Sequence, residues 1–347
     1  PLGVLWYNDL AFPVPSRHGR GRAPLFLDGR MFVQGMDAAL CVNAYNGRRL
    51  WEYPLPGIQK VFDGEHLMGT SGTGSNYCVG PTGLYLHTGK ECLRIDPATG
   101  ELLASFRAPI NSDGKPGTWG IVALDGNTLF GTLADTRHLV TYRYQRGDMN
   151  RQYTESVGLF AMEAVRGEVR WTFQPDHTIR HTAIAIGGGR VYLIDRPTAV
   201  SDRDRERRTG VPNPDFDHPS GRLLALNANN GQVIWQTSEN IYGTTLAVSR
   251  EYDVLLMCYQ DWRFKLASEL GGRMAAFDAA TGKRRWDIKA SYQTRPIIIG
   301  RTIYLQPDTW DLLTGKRAQF VRDRSYGCGI PSGCTNMLVY RSATLGY

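Results

Sequence analysis

The sequence has no long hydrophobic run and few of the residues that carry metal or redox chemistry. Its 347 residues include only 6 cysteines and 7 histidines. No apolar stretch approaches the roughly 18 residues that a membrane-spanning helix needs. No two cysteines are adjacent or spaced as CxxC, and this argues against structural zinc and covalently attached haem. We therefore expect neither a transmembrane segment nor a metal site in this chain.

The chain also lacks a phosphate-binding loop and a clear nucleic-acid patch. The glycine-rich stretch 69–75 has no lysine and no helical pattern after it. The arginine-rich run 203–208 lies in a segment, 195–217, that also holds six acidic residues, so its charge nearly cancels. The net charge of +7 permits an anionic partner without requiring one. We expect no nucleic-acid partner.

Glycine and aromatic residues are abundant instead. The chain has 39 glycines, 11% aromatic residues and 42% hydrophobic residues, which is enough apolar material for a large core. Many short strands joined by glycine-containing turns produce this composition. The composition therefore predicts an all-β fold.

One phrase recurs along the sequence: an apolar strand, an acidic or amide residue, a short turn, a glycine and a second strand. The acidic or amide residue stands four positions before the glycine, and in four copies a tryptophan follows the glycine by four positions. An Asp or Asn side chain can accept hydrogen bonds from nearby backbone amides, and glycine tolerates positive φ. We predict that the tryptophans occupy equivalent, largely buried positions between neighbouring sheets. The glycines are Gly47, Gly100, Gly167, Gly231, Gly282 and Gly315, and the tryptophans are Trp51, Trp171, Trp235 and Trp286.

The repeat spacing predicts a β-propeller. Successive repeat glycines are 33 to 67 residues apart, which suits a four-stranded blade with variable loops. Seven polar or aromatic phrases precede apolar strands, so we expect about seven blades, with eight as the alternative. We treat 1–347 as a single propeller domain from a longer chain. The strand around Val4 to Trp6 is expected to complete the last blade, so that N- and C-terminal strands close the ring.

The phrase from Ala276 to Trp286, AFDAATGKRRW, resembles the tryptophan-docking repeat of the pyrroloquinoline-quinone (PQQ) superfamily. The resemblance implies a propeller and covers nearly the whole chain. It extends both to quinoprotein alcohol dehydrogenases and to non-catalytic propellers such as the outer-membrane assembly lipoprotein. The segments 17–19, 74–77 and 326–329 resemble segments of uncharacterised PQQ-like propeller proteins of planctomycete-type bacteria. The resemblance to that subgroup implies no particular function.

The strand entries of a propeller converge at the mouth of its central channel, and we take that mouth as the candidate site. Arginine binds anionic groups, and tryptophan and tyrosine stack on planar or sugar rings. The alternative is that these residues only close and solvate the channel. Three insertions, at about 134–157, 195–220 and 260–272, are expected between second and third strands on the same face. The candidate ligand-binding residues are Arg17, His18, Arg20, Asn76, Trp119, Arg180, His181, Tyr242, Arg295 and Tyr326.

We expect a non-catalytic periplasmic or extracellular scaffold that binds a protein or an anionic glycan through this face. The alternative is an enzyme, either a quinoprotein oxidoreductase or a polysaccharide hydrolase or lyase. The resemblance implies that PQQ catalysis uses Ca²⁺ and a disulfide of adjacent cysteines, and this sequence has no such cysteines and no convincing Ca²⁺ ligand set. We therefore expect no cofactor, with PQQ and Ca²⁺ as the less favoured reading. Cys328 and Cys334 flank a turn and could pair in an oxidising compartment.

Overall fold

The computed structural model describes residues 6, 23–35, 37–58, 76–111, 114–143, 149–198, 218–259, 268–292, 294–320, 332–334, 337–340 and 343–346. All elements with described bounds are β-strands, which confirms the all-β prediction. The chain divides into two compact units, Pro1–Gln174 and Pro175–Tyr347. Within the described ranges, no helix is long and apolar enough to cross a bilayer.

The described strands of the first unit form three four-stranded antiparallel sheets and one separate hairpin. Consecutive strands pair in each sheet, except that the hairpin β11–β12 is inserted between the second and third strands of the last sheet. The strands are β1 Leu25–Leu27, β2 Arg30–Gln34, β3 Ala38–Asn43, β4 Arg49–Pro54, β5 Tyr77–Gly80, β6 Gly83–His87, β7 Glu91–Ile95, β8 Leu102–Arg107, β9 Trp119–Asp125, β10 Thr128–Ala134, β11 Leu139–Arg143, β12 Met149–Tyr153, β13 Glu155–Glu163 and β14 Val169–Phe173.

The second unit repeats the same plan. Its first three sheets have four described strands each, and the last has three. The strands are β15 Thr178–Gly187, β16 Arg190–Arg196, β17 Arg222–Asn227, β18 Val233–Thr237, β19 Thr245–Ser249, β20 Val254–Tyr259, β21 Arg273–Asp278, β22 Arg284–Lys289, β23 Ile297–Ile299, β24 Thr302–Tyr304, β25 Asp308–Asp311, β26 Arg317–Phe320, β27 Ser332–Cys334, β28 Met337–Tyr340 and β29 Ala343–Gly346.

The turn of each repeat forms as the sequence predicts. Asn43 Oδ1 accepts hydrogen bonds from the amides of Tyr45 and Asn46 at 2.9 and 3.2 Å, and Gly47 has φ of 70°. The Arg285 guanidinium, hydrogen-bonded to Asp278, holds the pKa of that turn carboxyl below its usual range. These acidic and amide side chains thus accept hydrogen bonds within the turns themselves, as predicted.

The repeat tryptophans pack on the turn of the following repeat. Trp51 lies against Gly100, where an added Cβ would come within 2.7 Å of the indole, and its Nε1 donates to Pro97 O at 3.1 Å. Trp235 and Trp286 meet Gly282 and Gly315 in the same way, each with its indole N–H on a turn carbonyl. The expected burial holds fully for Trp51 and Trp171, whereas Trp235 and Trp286 are half-buried.

The long connections join second strands to third strands, as predicted. Residues 135–154 connect β10 to β13, residues 197–221 connect β16 to β17, and residues 260–272 connect β20 to β21. Second strands such as β10, β20 and most of β16 are fully buried. Each connection therefore begins at the end of a buried second strand. The second and third strands that it joins are hydrogen-bonded to each other, so both of its ends are fixed.

Candidate functional site

The inner strand β15 contains an unusually large bulge. Ile179 is registered with Asp195 and Ile184 with Leu193, so β15 advances five residues where β16 advances two. Bulges of this kind re-aim side chains and are common next to functional sites. The extra backbone includes Arg180–Thr182, and Arg180 of this bulge reaches Glu269, near the end of the 260–272 connection.

Arg180 forms a buried ion pair with Glu269. Its Nη1 lies 2.8 Å from Glu269 Oε1, and the two side chains are 1% and 0% exposed. A charge this deeply buried is stabilised by an ion-pair partner of opposite sign. Arg180 therefore does not present its guanidinium to solvent, although the sequence suggested it as a ligand-binding residue.

A second buried arginine lies at the end of β16. Arg196 Nη2 donates to Ser268 Oγ at 3.3 Å, and the carbonyl of Ser268 is 3.1 Å from His218 Nδ1. Thr178 Oγ1 donates to Arg196 O at 3.1 Å and is also 3.1 Å from Thr198 Oγ1. Thr198 and His218 flank residues 199–217, and Ser268 follows residues 260–267. The same network therefore holds both connections of the second unit at their described ends.

Asp195 completes this network as a structural carboxylate. Its two oxygens accept hydrogen bonds from the backbone amides of Asp176 and His177, each at 2.9 Å. Arg222 Nη2 lies 2.9 Å from the same carboxylate and 2.6 Å from Asp176. Asp195 is buried with its oxygens occupied, so it orders the start of β15 and is poorly placed to act as a base.

The first unit has a smaller polar cluster at the matching strand ends. Asn76 Nδ2 donates to Gln34 Oε1 at 2.5 Å, and Asn76 O accepts from His87 N at 2.8 Å. His87 stacks on Trp119 with ring centroids 6.1 Å apart, and the backbone amide of Trp119 donates to Gly89 O. All four side chains are buried, while Asn76 Oδ1 and Trp119 Nε1 have no hydrogen-bond partner in the described part of the chain.

The remaining predicted site residues divide into two groups. His181 is buried in the bulge, and Tyr242 and Arg295 are half-buried at later strand entries of the same unit. Arg17, His18, Arg20 and Tyr326 lie outside the described residues. Sequence reasoning missed Glu269, Ser268, Gln34 and His87. Their positions were the one available signal. Gln34 and His87 each end a second strand, and Ser268 and Glu269 lie near the end of the 260–272 connection.

Among the described residues, no three His, Cys, Asp or Glu side chains are grouped so that they could hold a metal ion. Burial raises the pKa of Cys41 to about 11 and that of Cys258 to about 12, so these free thiols stay protonated at neutral pH. The proposed Cys328–Cys334 pair involves Cys328, which lies outside the described residues.

Comparison with known proteins identifies the fold. Residues 147–319 match a family model described as outer membrane protein assembly factor BamB. BamB from Moraxella catarrhalis is 14% identical, with 96% of this chain and 81% of that chain covered and a TM-score of 0.54. No curated protein matches the chain.

Quinoprotein dehydrogenases have a similar fold. A quinohemoprotein alcohol dehydrogenase from Pseudomonas putida HK5 is 16% identical over 92% of this chain, with a TM-score of 0.50. A europium-containing methanol dehydrogenase is 14% identical, covering 85% of this chain and 67% of that one, also with a TM-score of 0.50. The chain spans only 46% of the alcohol dehydrogenase. These likenesses confirm the predicted repeat fold, while the number of blades and the closure of the ring stay predictions.

Proposed function

Because the chain belongs to the PQQ-like repeat superfamily of β-propellers, we propose that it is a non-catalytic scaffold that binds a partner protein. The contact surface is formed by the long second-to-third-strand connections. The matched family is named for outer membrane protein assembly, which supports a protein partner and a periplasmic or extracellular location.

The observation that carries the proposal is the buried polar network at the ends of the connections in the second unit. Arg180–Glu269 and Arg196–Ser268 link the bulged strand and the end of β16 to the residue pair that follows 260–267. His218, which follows 199–217, is held by the same Ser268. A framework that fixes the ends of long loops is the usual way to present a binding surface.

The same contacts favour a protein over an anionic glycan. The mouth would bind a polyanion through exposed guanidinium groups, but that of Arg180 is buried against Glu269. Arg295 and Tyr242 are half-buried and can contribute to a contact, although they do not form a continuous cationic surface by themselves. We therefore propose that the partner protein contacts mainly the long second-to-third-strand connections, and that Tyr242 and Arg295 lie at the edge of this contact.

Loop replacement tests this function. Residues 200–216 and 261–266 are replaced separately by Gly-Ser linkers that keep Thr198, His218 and Ser268. Immobilised wild-type protein captures partners from an extract of the source cells, and soluble variants compete for them. We expect at least a tenfold loss of competition for one or both replacements. A charge-swapped outer-strand variant, Arg49→Glu with Glu52→Arg, should compete like wild type. Full competition by both loop variants would contradict the proposal.

The alternative is an oxidoreductase that uses PQQ, and the dehydrogenase neighbours are what favour it. The sequence lacks adjacent cysteines, and the polar side chains described above are engaged in structural contacts. We expect no stoichiometric binding when the protein is titrated with PQQ and Ca²⁺ at micromolar concentration, measured by absorbance. Alcohol-dependent dye reduction or one-to-one binding would establish the enzyme instead.

A hydrolase or lyase would require an acid/base pair, whereas the described carboxylates of this network, Glu269 and Asp195, are paired with Arg180 and Arg222.

A further inference from the structure

Trp6 contacts the turn of the first repeat. Its indole Nε1 donates a hydrogen bond to Ala44 O at 2.8 Å. The ring also packs on Gly47, where an added Cβ would overlap the indole. Ala44 directly follows the turn amide Asn43, and Gly47 ends the same turn with φ of 70°. Trp6 therefore binds both a carbonyl and the glycine of this turn.

Three of the repeat tryptophans make the same pair of contacts. Each donates its indole N–H to the residue after the turn carboxylate and packs on the repeat glycine. The tryptophan and its carbonyl partner are 46, 44 and 26 residues apart in these cases, and Trp6 is 38 residues from Ala44. Trp6 lacks the sequence signature of the others, because Leu2 stands four positions before it instead of a glycine. The three pairs are Trp51 with Pro97, Trp235 with Ala279 and Trp286 with Leu312.

Trp6 also covers an apolar face of β3. Ala38, Leu40 and Val42 form a buried cluster, and Trp6 and Met31 pack against it. The three cluster residues alternate along the strand, so their side chains point to one face of the sheet. Withdrawal of Trp6 would therefore remove part of the cover of this face.

We propose that Trp6 is a latch that fastens the N-terminal segment to the first unit. Docked on the turn 43–47, it takes the place of a repeat tryptophan and seals the apolar face of β3. The first residues of a domain are commonly poorly ordered unless a contact ties them down, and Trp6 supplies such a contact. Released, it would uncover Met31 and the cluster beside it. The inference depends neither on the scaffold function nor on the number of blades.

A double-mutant cycle tests the docking of Trp6 on Gly47. Gly47→Ala places a methyl group where the indole lies, and it also strains a positive φ. Because Trp6→Ala removes the clash but not the strain, Gly47→Ala should shift the urea midpoint at least about twofold less in that background than in wild type. Gly282→Ala, at the equivalent glycine of the second unit, should shift the midpoint equally in both backgrounds. Equal shifts for Gly47→Ala in the two backgrounds would overturn the docking.

Oxidation of Met31 tests the latch without any change at Gly47. Trp6→Ala should speed the conversion of Met31 to its sulfoxide by dilute hydrogen peroxide by at least about fivefold, measured by peptide mass spectrometry. Trp6→Phe should keep most of the protection, because Phe106 packs on a repeat glycine in the same way. Met257, which is fully buried in the second unit, is the control and should react at the wild-type rate. Unchanged oxidation of Met31, or equal acceleration at Met257, would contradict a local latch.

Discussion

Replacing Glu269 with alanine should lower the free energy of unfolding by about 3–5 kcal/mol, because it leaves the buried Arg180 guanidinium without its counter-charge. The two side chains are 1% and 0% exposed and are joined at 2.8 Å, so bulk solvent does little to screen the charge in the folded protein. Urea denaturation of the full chain, followed by tryptophan fluorescence, measures the loss.

Two comparisons separate the buried charge from simple loss of packing. The double variant Arg180→Met with Glu269→Leu removes both charges, and it should recover most of the stability lost in Glu269→Ala. Glu52→Ala removes the partner of Arg49 in an ion pair of the same 2.8 Å length whose side chains are 56% and 40% exposed. That change should cost less than about 1 kcal/mol. Equal losses for Glu269→Ala and Glu52→Ala would contradict the assigned role of the buried pair.

Truncating Trp51 to alanine should be comparably destabilising, at about 3–5 kcal/mol. The substitution empties the space over Gly100 and removes the hydrogen bond to Pro97 O. The same change at the half-buried Trp286 should cost less, because part of that side chain already contacts water. Chemical denaturation of the two variants side by side measures the difference.

A natural replacement within the chain provides the control. In the sheet β5–β8 the side chain that contacts the next repeat glycine, Gly167, is Phe106. Trp51→Phe should therefore retain much of the stability that Trp51→Ala loses. A loss below about 1 kcal/mol for Trp51→Ala would show that the interlocking of repeats does not depend on this contact.

The repeat architecture was predictable because its determinants are local. The four-residue spacing from Asn43 to Gly47 encodes a turn, and Trp51 follows Gly47 by four positions. The same spacing recurs in other repeats, so it can be recognised without knowing which strands pair. The same logic located the long connections, because they interrupt an otherwise regular strand pattern. The repeat spacing did not predict the role of Phe106, which lies six positions after Gly100 instead of four. Phe106 nevertheless packs on Gly167, the glycine of the next repeat.

The candidate site was less predictable because its partners are distant in sequence. Arg180 and Glu269 are 89 residues apart, and Gln34 and Asn76 are 42 apart. Nothing in the local pattern indicates that Glu269 neutralises Arg180, so the arginine was expected to be available to a ligand. The bulge in β15, which changes the course of Arg180–Thr182, also has no signature in the residues that form it.

Site-specific photo-crosslinking in the source cells tests the scaffold function most directly. A photoreactive amino acid is placed at Asp204 or Pro212 within the 199–217 connection, and at Glu52 on the outer strand β4 as the control. The account predicts that the connection positions crosslink to one defined partner protein and that Glu52 does not. Crosslinking to that partner from Glu52 alone, with none from the connection, would contradict it.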